Sequence, residues 1–273
     1  MKIEGQGTIP KAKAGVPPAT PRPQDFERAK WDDYFEVALQ GKGQEHEKSL
    51  FWRLADEHSV DVVKRAVDGR RGLTVAEAGC GSGDMTMMLA SHLSVAKAAL
   101  FDLSDKALEL AKRNAAKANI GQCDFRLADI EHLPVSNDTY DVCWNVGVIE
   151  HYPADHIERM VREMWRVTKP GGALICAIPN RRSIATLKAW ALGSEFGRRY
   201  LNWIPGYRFD SEILYSDDEM AQILALATGT SVHVEHAGGP LWVSAPDWLA
   251  AAANWALGRS RVCFLSFFVA KKV

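Results

Sequence analysis

The chain has 273 residues, 47% of them hydrophobic and 25% charged, with 33 Lys and Arg against 34 Asp and Glu. That mix is typical of a globular protein able to bury a sizeable core, and it excludes disordered and collagen-like chains. A net charge of −1 lacks the basic excess that binding to phosphate backbones demands, so nucleic-acid partners are excluded. No apolar run approaches the ~20 residues of a spanning helix, and no membrane partner is expected. The N-terminus shows no apolar signal segment. Five scattered cysteines without a Cys-x-x-Cys pair point to reduced thiols in a cytoplasmic protein, and no Cys/His group has metal-ligand spacing.

Residues 1–24, with Pro10, Pro17, Pro18, Pro21 and Pro23 among Gly, Ala, Lys and Thr, read as a flexible leader. Residues 25–70 read as cap helices: Phe26–Phe35, then, past Gly41 and Gly43, Glu45–His58 and Val60–Val67. From 71 to 273, β-rich runs alternate with helical ones. The strands are Leu73–Ala78, Ala98–Leu103, Asp124–Ala128, Tyr140–Val146 and Ala173–Ile178. Between them lie helices Met85–Leu93, Asp105–Ala118 and Ala154–Thr168. Ser104-Asp105 and Pro153 are start signals, and Lys169-Pro170-Gly171-Gly172 is a stop. Such alternation requires right-handed crossovers and a parallel sheet. After a helix over Ser216–Ala227, the runs Ser231–Ala237 and Val262–Ala270 pair antiparallel at one edge. The expected fold is α/β: a doubly wound, mostly parallel seven-stranded sheet with an antiparallel edge hairpin and helical insertions.

The first strand, Val75-Ala-Glu77-Ala-Gly79, breaks into Cys80-Gly81-Ser82-Gly83 before a helix. Glycines let the backbone turn tightly and approach a ligand, and the helix that follows offers free N–H groups. A nucleotide-type ligand is expected at the carboxyl end of this strand. A dinucleotide fingerprint wants a glycine where Asp84 stands, and a phosphate loop wants a lysine that is absent. Glu77 and Asp84 would repel a pyrophosphate and suit a ligand carrying an ammonium group. The second strand ends at Asp102-Leu103, where a carboxylate can accept both hydroxyls of a ribose. Ser104 and Asp105 already serve as helix caps, which leaves Asp102 available. At the end of the third strand, Asp129 is either an adenine contact or a loop-turn aspartate; in series with the other two it reads as functional.

Glu77-Ala-Gly79-Cys-Gly81-Ser-Gly83, Asp102, Ala128-Asp129, Tyr140-Asp141-Val142, Glu150-His151 and Lys169-Pro-Gly-Gly together resemble the successive motifs of class I S-adenosylmethionine-dependent methyltransferases, which have a Rossmann-like fold. The resemblance covers roughly Leu73 to Pro179. It implies that S-adenosylmethionine is the cofactor, with Glu77, Gly79, Cys80, Gly81 and Gly83 at its methionine end, Asp102 and Leu103 at the ribose and Asp129 with Ile130 at the adenine. It further implies that Asn145 and the backbone that follows it line the methyl-donor side and that the helix carrying Trp31, Tyr34 and Phe35 folds over the donor, making Tyr34 a donor or substrate contact.

Methyl transfer from a sulfonium needs chiefly that nucleophile and methyl be held in line, with ~7–11 kcal/mol available from orientation. For a hydroxyl nucleophile a base helps. His151 is the candidate catalytic base, its alternative being support of its loop; Glu150 reads as structural, and Tyr152 as a substrate neighbour. Two insertions, 180–215 and 238–261, hold five of the nine tryptophans, Trp190, Trp203, Trp242, Trp248 and Trp255. They read as a lid over an apolar pocket, with Trp203, Tyr207, Arg208 and Trp242 as substrate contacts; the alternative is a homodimer contact or simple packing of the inserted helices. The helix around Trp248 and Trp255 has no basic face, which argues against docking on a membrane. The expected function is methyl transfer to oxygen or nitrogen of a small, partly apolar or aromatic molecule. The alternative is a regulatory module that binds S-adenosylmethionine without transferring methyl. A nicotinamide oxidoreductase is disfavoured by Asp84 and Glu77.

Overall fold

A computed structural model describes residues 23–41, 49–118, 122–204, 211–241, 245–258 and 260–273. Tyr207, Arg208 and Trp242, and the leader up to residue 22, lie outside the described residues. Seven strands form one sheet in the order β3-β2-β1-β4-β5-β7-β6: β1 (Leu73–Ala78), β2 (Val95–Asp102), β3 (Cys123–Leu127), β4 (Tyr140–Val146), β5 (Thr168–Pro179), β6 (Val232–Ala237) and β7 (Leu265–Lys271). Pairing is parallel from β3 through β5, whereas β7 runs antiparallel to both β5 and β6. The strand order reverses between β1 and β4, and in open α/β sheets that reversal opens a crevice at the carboxyl ends.

Burial explains why β1 and β4 read as nearly continuous apolar runs: helices cover both faces of the sheet. Alternation along β1 sends Val75 to one face and Ala76 and Ala78 to the other. On the second face α5 (Ala154–Val167) buries Ile157, Met160, Val161 and Met164, and α8 (Asp217–Thr228) adds Met220 and Leu224. On the first face lie α2 (Leu50–Val67), with Phe51 and Val63, and α3 (Asp84–His92), with Leu89. Beside them α4 (Asp105–Ala118) packs Leu108 and Ala111 on Leu100. Each fully buried Leu, Ile or Met contributes about 1.5–3 kcal/mol relative to exposure.

Two local expectations change. In place of separate helices at 45–58 and 60–67, α2 runs unbroken through Ser59, whose hydroxyl donates to the Ala55 carbonyl one turn back at 2.6 Å and so completes its bonding inside the helix. The Lys169-Pro170-Gly171-Gly172 stop does follow the end of α5, but it lies within β5 as an irregularity in the pairing with β4. Gly172 is needed there, because a Cβ would stand 2.8 Å from the Lys169 carbonyl oxygen and 2.9 Å from that of Asp141.

α1 (Pro23–Leu39) starts inside the expected leader and lies over the carboxyl ends of the strands. Its Phe35 is buried with Ala107 and Leu110 of α4. α6 (Ile184–Gly193) and α7 (Glu195–Tyr200) occupy the first insertion and α9 (Asp247–Leu257) the second.

Candidate active site

The crevice at the β1–β4 switch point holds a cavity of about 270 Å³. Glu77, Gly79, Cys80, Gly81, Asp102, Leu103, Asp129, Ile130 and Tyr152 all contribute to its wall, together with Tyr34 at the rim. The loop after β1 has its shape because Gly79 and Gly83 take φ of +77° and +72°. A Cβ at Gly79 would meet Val148 Cγ2 at 2.8 Å, and one at Gly83 would meet Leu100 Cδ2 at 2.7 Å. Side chains are excluded there on both conformational and steric grounds.

Three carboxylates range along this wall. Glu77 shares a sheet face with Val75, so it meets α3: Thr86 Oγ1 donates to its Oε2 at 2.6 Å, and Trp144 Nε1 reaches that hydroxyl at 3.4 Å. Burial pushes the Glu77 carboxyl up to about 8, with Thr86 opposing and Asp84 and Asp102 adding to the rise. Asp102 accepts from the amide of Gly81 at 2.8 Å and from that of Ser104 at 2.9 Å. Burial also raises its pKa, against these amide bonds. The cap role falls to Ser104, whose hydroxyl oxygen accepts from Ala107 N at 3.1 Å and whose proton goes to Asp32 of α1. Asp129 is half-buried and accepts from Glu131 N at 2.9 Å. Ile130 is buried beside it.

α1 closes the cavity. Phe35 lies across Gly81, its Cζ only 3.1 Å from where a Cβ would be, and Trp31 and Arg28 complete the wall. Lys106 of α4 pairs with Glu36 of α1 at 2.7 Å. The backbone that follows Asn145, Val146 to Val148, and Phe35 of α1 line the cavity, whereas sequence reasoning singles out neither Arg28 nor Met160, which line it too. Both are unremarkable in sequence, and only the docking of α1 and the packing of α5 bring them in.

Four expectations need correction. Asn145 does not line the cavity: it is fully buried on the α5 face of β4, donates Nδ2 to the Ala78 carbonyl, and leaves Oδ1 without a hydrogen bond. The wall at that level is Val146, Gly147 and Val148. His151 ends a 3-10 turn, Ile149–His151, and stands behind Trp31 with the rings 5.6 Å apart, outside the cavity wall. Its Nδ1 is 2.8 Å from Ser211 Oγ, which also accepts from Lys30 Nζ at 2.7 Å. Three distant segments therefore converge on this histidine. Trp203 is 75% exposed and takes no part in the cavity. Nor do the described residues of the insertions form the expected lid: Trp190, Trp248 and Trp255 are 58%, 73% and 90% exposed, and the described cover is α1.

Glu150 is buried, its carboxyl pushed up to about 8 by that burial; its own amide bonds it, while Oε2 makes no hydrogen bond. Ile213 N donates to its backbone carbonyl at 2.8 Å.

Residues 75–172 match the family model described as "Methyltransferase domain". A ubiquinone biosynthesis O-methyltransferase of Mesorhizobium japonicum is 31% identical over 168 residues, 62% of this chain and 64% of that protein. One of Rhizobium etli is 32% identical over 161 residues, 59% of this chain and 61% of that protein. The chain thus spans less than two thirds of the length of these relatives. Magnesium protoporphyrin IX methyltransferase from Synechocystis PCC 6803, solved with bound S-adenosylmethionine, superposes with a TM-score of 0.59 at 18% identity, covering 93% of this chain and 99% of that one. A methyltransferase from Aquifex aeolicus gives 0.52 at 14% identity, covering 93% and 100%. Residues 75–172 thus match a methyltransferase family model, and the chain shares the fold of the solved S-adenosylmethionine-dependent methyltransferases above.

Proposed function

We propose that this protein transfers the methyl group of S-adenosylmethionine to a small, partly apolar or aromatic acceptor. The observation that carries this reading is the order of the three carboxylates along one cavity wall, Glu77, Asp102 and Asp129, at the ends of or just past successive strands. Buried Glu77 suits the ammonium of the methionine end, since a carboxyl held near 8 ionises readily once a cation arrives. Asp102, already held by two amides, suits the ribose hydroxyls, and Asp129 with Ile130 suits the adenine. The donor supplies an activated methyl on sulfonium; the protein's part is to bind, align and exclude water.

Oxygen is the acceptor atom we favour, because the relatives above are named for O-methylation. Near-neutral charge supports a small acceptor over a nucleic acid, and five free cysteines support a cytoplasmic setting. Tyr152, buried in the cavity wall, and Tyr34 at the rim offer aromatic surface to such an acceptor, beside Trp31 and Phe35. His151, outside the cavity wall and tied to Ser211 and Trp31, takes the second of its two expected roles, support of its loop.

Calorimetric titration with S-adenosylmethionine and S-adenosylhomocysteine, followed by an acceptor screen among phenolic compounds, tests the reading. Micromolar binding of both and acceptor-dependent formation of S-adenosylhomocysteine are expected. His151→Ala should then change thermal stability more than it changes kcat. Binding without turnover against any acceptor would favour the regulatory module, and no binding at all would sink the donor assignment.

A further inference from the structure

The loop that carries Asp129 has no secondary structure of its own: residues 128–139 join β3 to β4 with neither helix nor strand. Such a segment is held only where it finds partners elsewhere in the molecule. α5 supplies them. Its Ile157, Met160, Val161 and Met164 are buried against the sheet, while His156, Arg159, Glu163 and Arg166 follow the i, i+3, i+7, i+10 spacing of a second face. All four of these side chains reach the loop.

They do so at two levels. Away from the cavity, Leu133 N donates to Glu163 Oε1 at 2.7 Å. There Arg166 also donates to the carbonyls of Leu133 at 3.1 Å and Val135 at 2.9 Å. Nearer the cavity, one carboxylate of the loop bridges two residues of the helix. Glu131 Oε1 lies 2.6 Å from His156 Nδ1, and its Oε2 accepts from Arg159 Nε at 2.9 Å. Arg159 is braced by Asp155 Oδ2 at 3.1 Å, and the His156 ring stands 6.3 Å from that of Tyr152, a residue of the cavity wall.

Glu131 is the most enclosed member, its side chain 7% exposed against 15% for His156 and 46% for Arg159. Burial works to raise its carboxyl, yet Arg159 and His156 together hold it below its ordinary value. Desolvating an ionised carboxylate costs much of what its pairing gains, so this pair adds little net stability; what it adds is a fixed geometry. That geometry passes directly to the donor site. Glu131 N donates to Asp129 Oδ1 at 2.9 Å, and His132 N donates to the Asp129 carbonyl at 2.9 Å, closing one turn. With Oδ1 committed to the amide of the clamped residue, Oδ2 is the atom left for a ligand in the cavity that Asp129 lines.

We propose that Glu131, locked onto α5 by His156 and Arg159, is a positioning residue that aims Asp129 and so sets selectivity for a 6-aminopurine in the donor. The inference rests on the reading of Asp129 as the adenine contact. Calorimetry with S-adenosylhomocysteine and with S-inosylhomocysteine, in which an oxo group replaces the purine amino group, tests the two layers separately. A well-aimed Asp129 carboxylate accepts from the amino group and repels the oxo group, so the wild-type chain should prefer S-adenosylhomocysteine at least about tenfold. Asp129→Ala should erase that preference. Glu131→Ala should reduce it to about twofold, and Glu131→Gln, which still offers an oxygen to Arg159, should restore most of it. Arg159→Ala, at a half-exposed position where the fold is not at risk, should shift it in the same direction as Glu131→Ala. Arg166→Ala frees only the far part of the loop and should keep the full preference even where it lowers Tm. A wild-type chain without preference, or an Asp129→Ala chain that retains it, removes the adenine reading and the positioning role with it. An Asp129-dependent preference that survives in both Glu131→Ala and Arg159→Ala overturns the positioning role alone. So does an equal loss in Arg166→Ala, which would make the effect a general loosening of the loop.

Discussion

At the scale of single residues, the two buried glutamates set the response to pH. Glu77 and Glu150 are each pushed to about 8, above the 4.5 of an exposed glutamate. Across that window the folded chain holds protons that the unfolded chain has released, so these two groups make stability fall as pH rises from about 4.5 towards 8. Glu150→Gln removes the cost of ionising a carboxyl whose Oε2 has no partner. Its Tm should exceed that of the wild type near pH 8 and match it near pH 5, as read by thermal unfolding at both. Glu77 adds a ligand-linked effect. On the proposed reading, in which the ionised carboxylate binds the donor's ammonium, affinity for S-adenosylmethionine should rise between about pH 6 and pH 8. Glu77 gives up a proton on binding, and calorimetry in two buffers of different ionisation heat detects this. Glu77→Gln should flatten that pH dependence.

At the scale of elements, α1 is the part of the site that most depends on context. It is held by Phe35 in a small cluster with Ala107 and Leu110, by Lys106–Glu36, and by the Trp31–His151 and Lys30–Ser211 contacts. Little apolar area secures it, which is the condition for local opening at low cost. Phe35→Ala should therefore loosen α1 without unfolding the sheet: donor affinity falls about tenfold, while the main thermal transition moves by only a few degrees. Hydrogen exchange should show lost protection confined to residues of α1. A large drop in Tm would instead make α1 part of the cooperative core.

At the scale of the whole molecule, the sheet is the rigid frame, and Asn180 ties both insertions to it. Its Nδ2 serves two carbonyls and its Oδ1 accepts from Arg182 N at 2.9 Å, all with the residue 1% exposed. Asn180→Ala strands these groups and should cost about 1–3 kcal/mol in denaturant unfolding. Because the anchor lies at the β5–β7 end, away from the glycine loop, donor affinity of the folded variant should be retained.

Glu77, Asp102 and Asp129 were legible in the sequence because strand alternation and turn glycines are local properties. Once each strand end is located, the carboxylate beside it must lie at the same edge of a parallel sheet. The parallel sheet and its antiparallel edge follow from the same local periodicities, and the order of the motifs carries the methyltransferase resemblance. Asn145 shows where that logic stops, since the faces of β4 are both buried and only packing decides that its side chain turns to the α5 layer. Likewise, no pattern along the chain says that Phe35 covers Gly81, that Lys30 and Ser211 meet at His151, or that the tryptophans of α6 and α9 face outward. Those are contacts between segments far apart in sequence, selected by how amphipathic helices fit the twisted sheet and not by any residue's own preference. The sequence by itself determined the sheet and its ligand-binding edge, because backbone propensity and period suffice for both, and the resemblance already implied a helix over that edge; which side chains of α1 close it, and what holds them there, were decided only by tertiary packing.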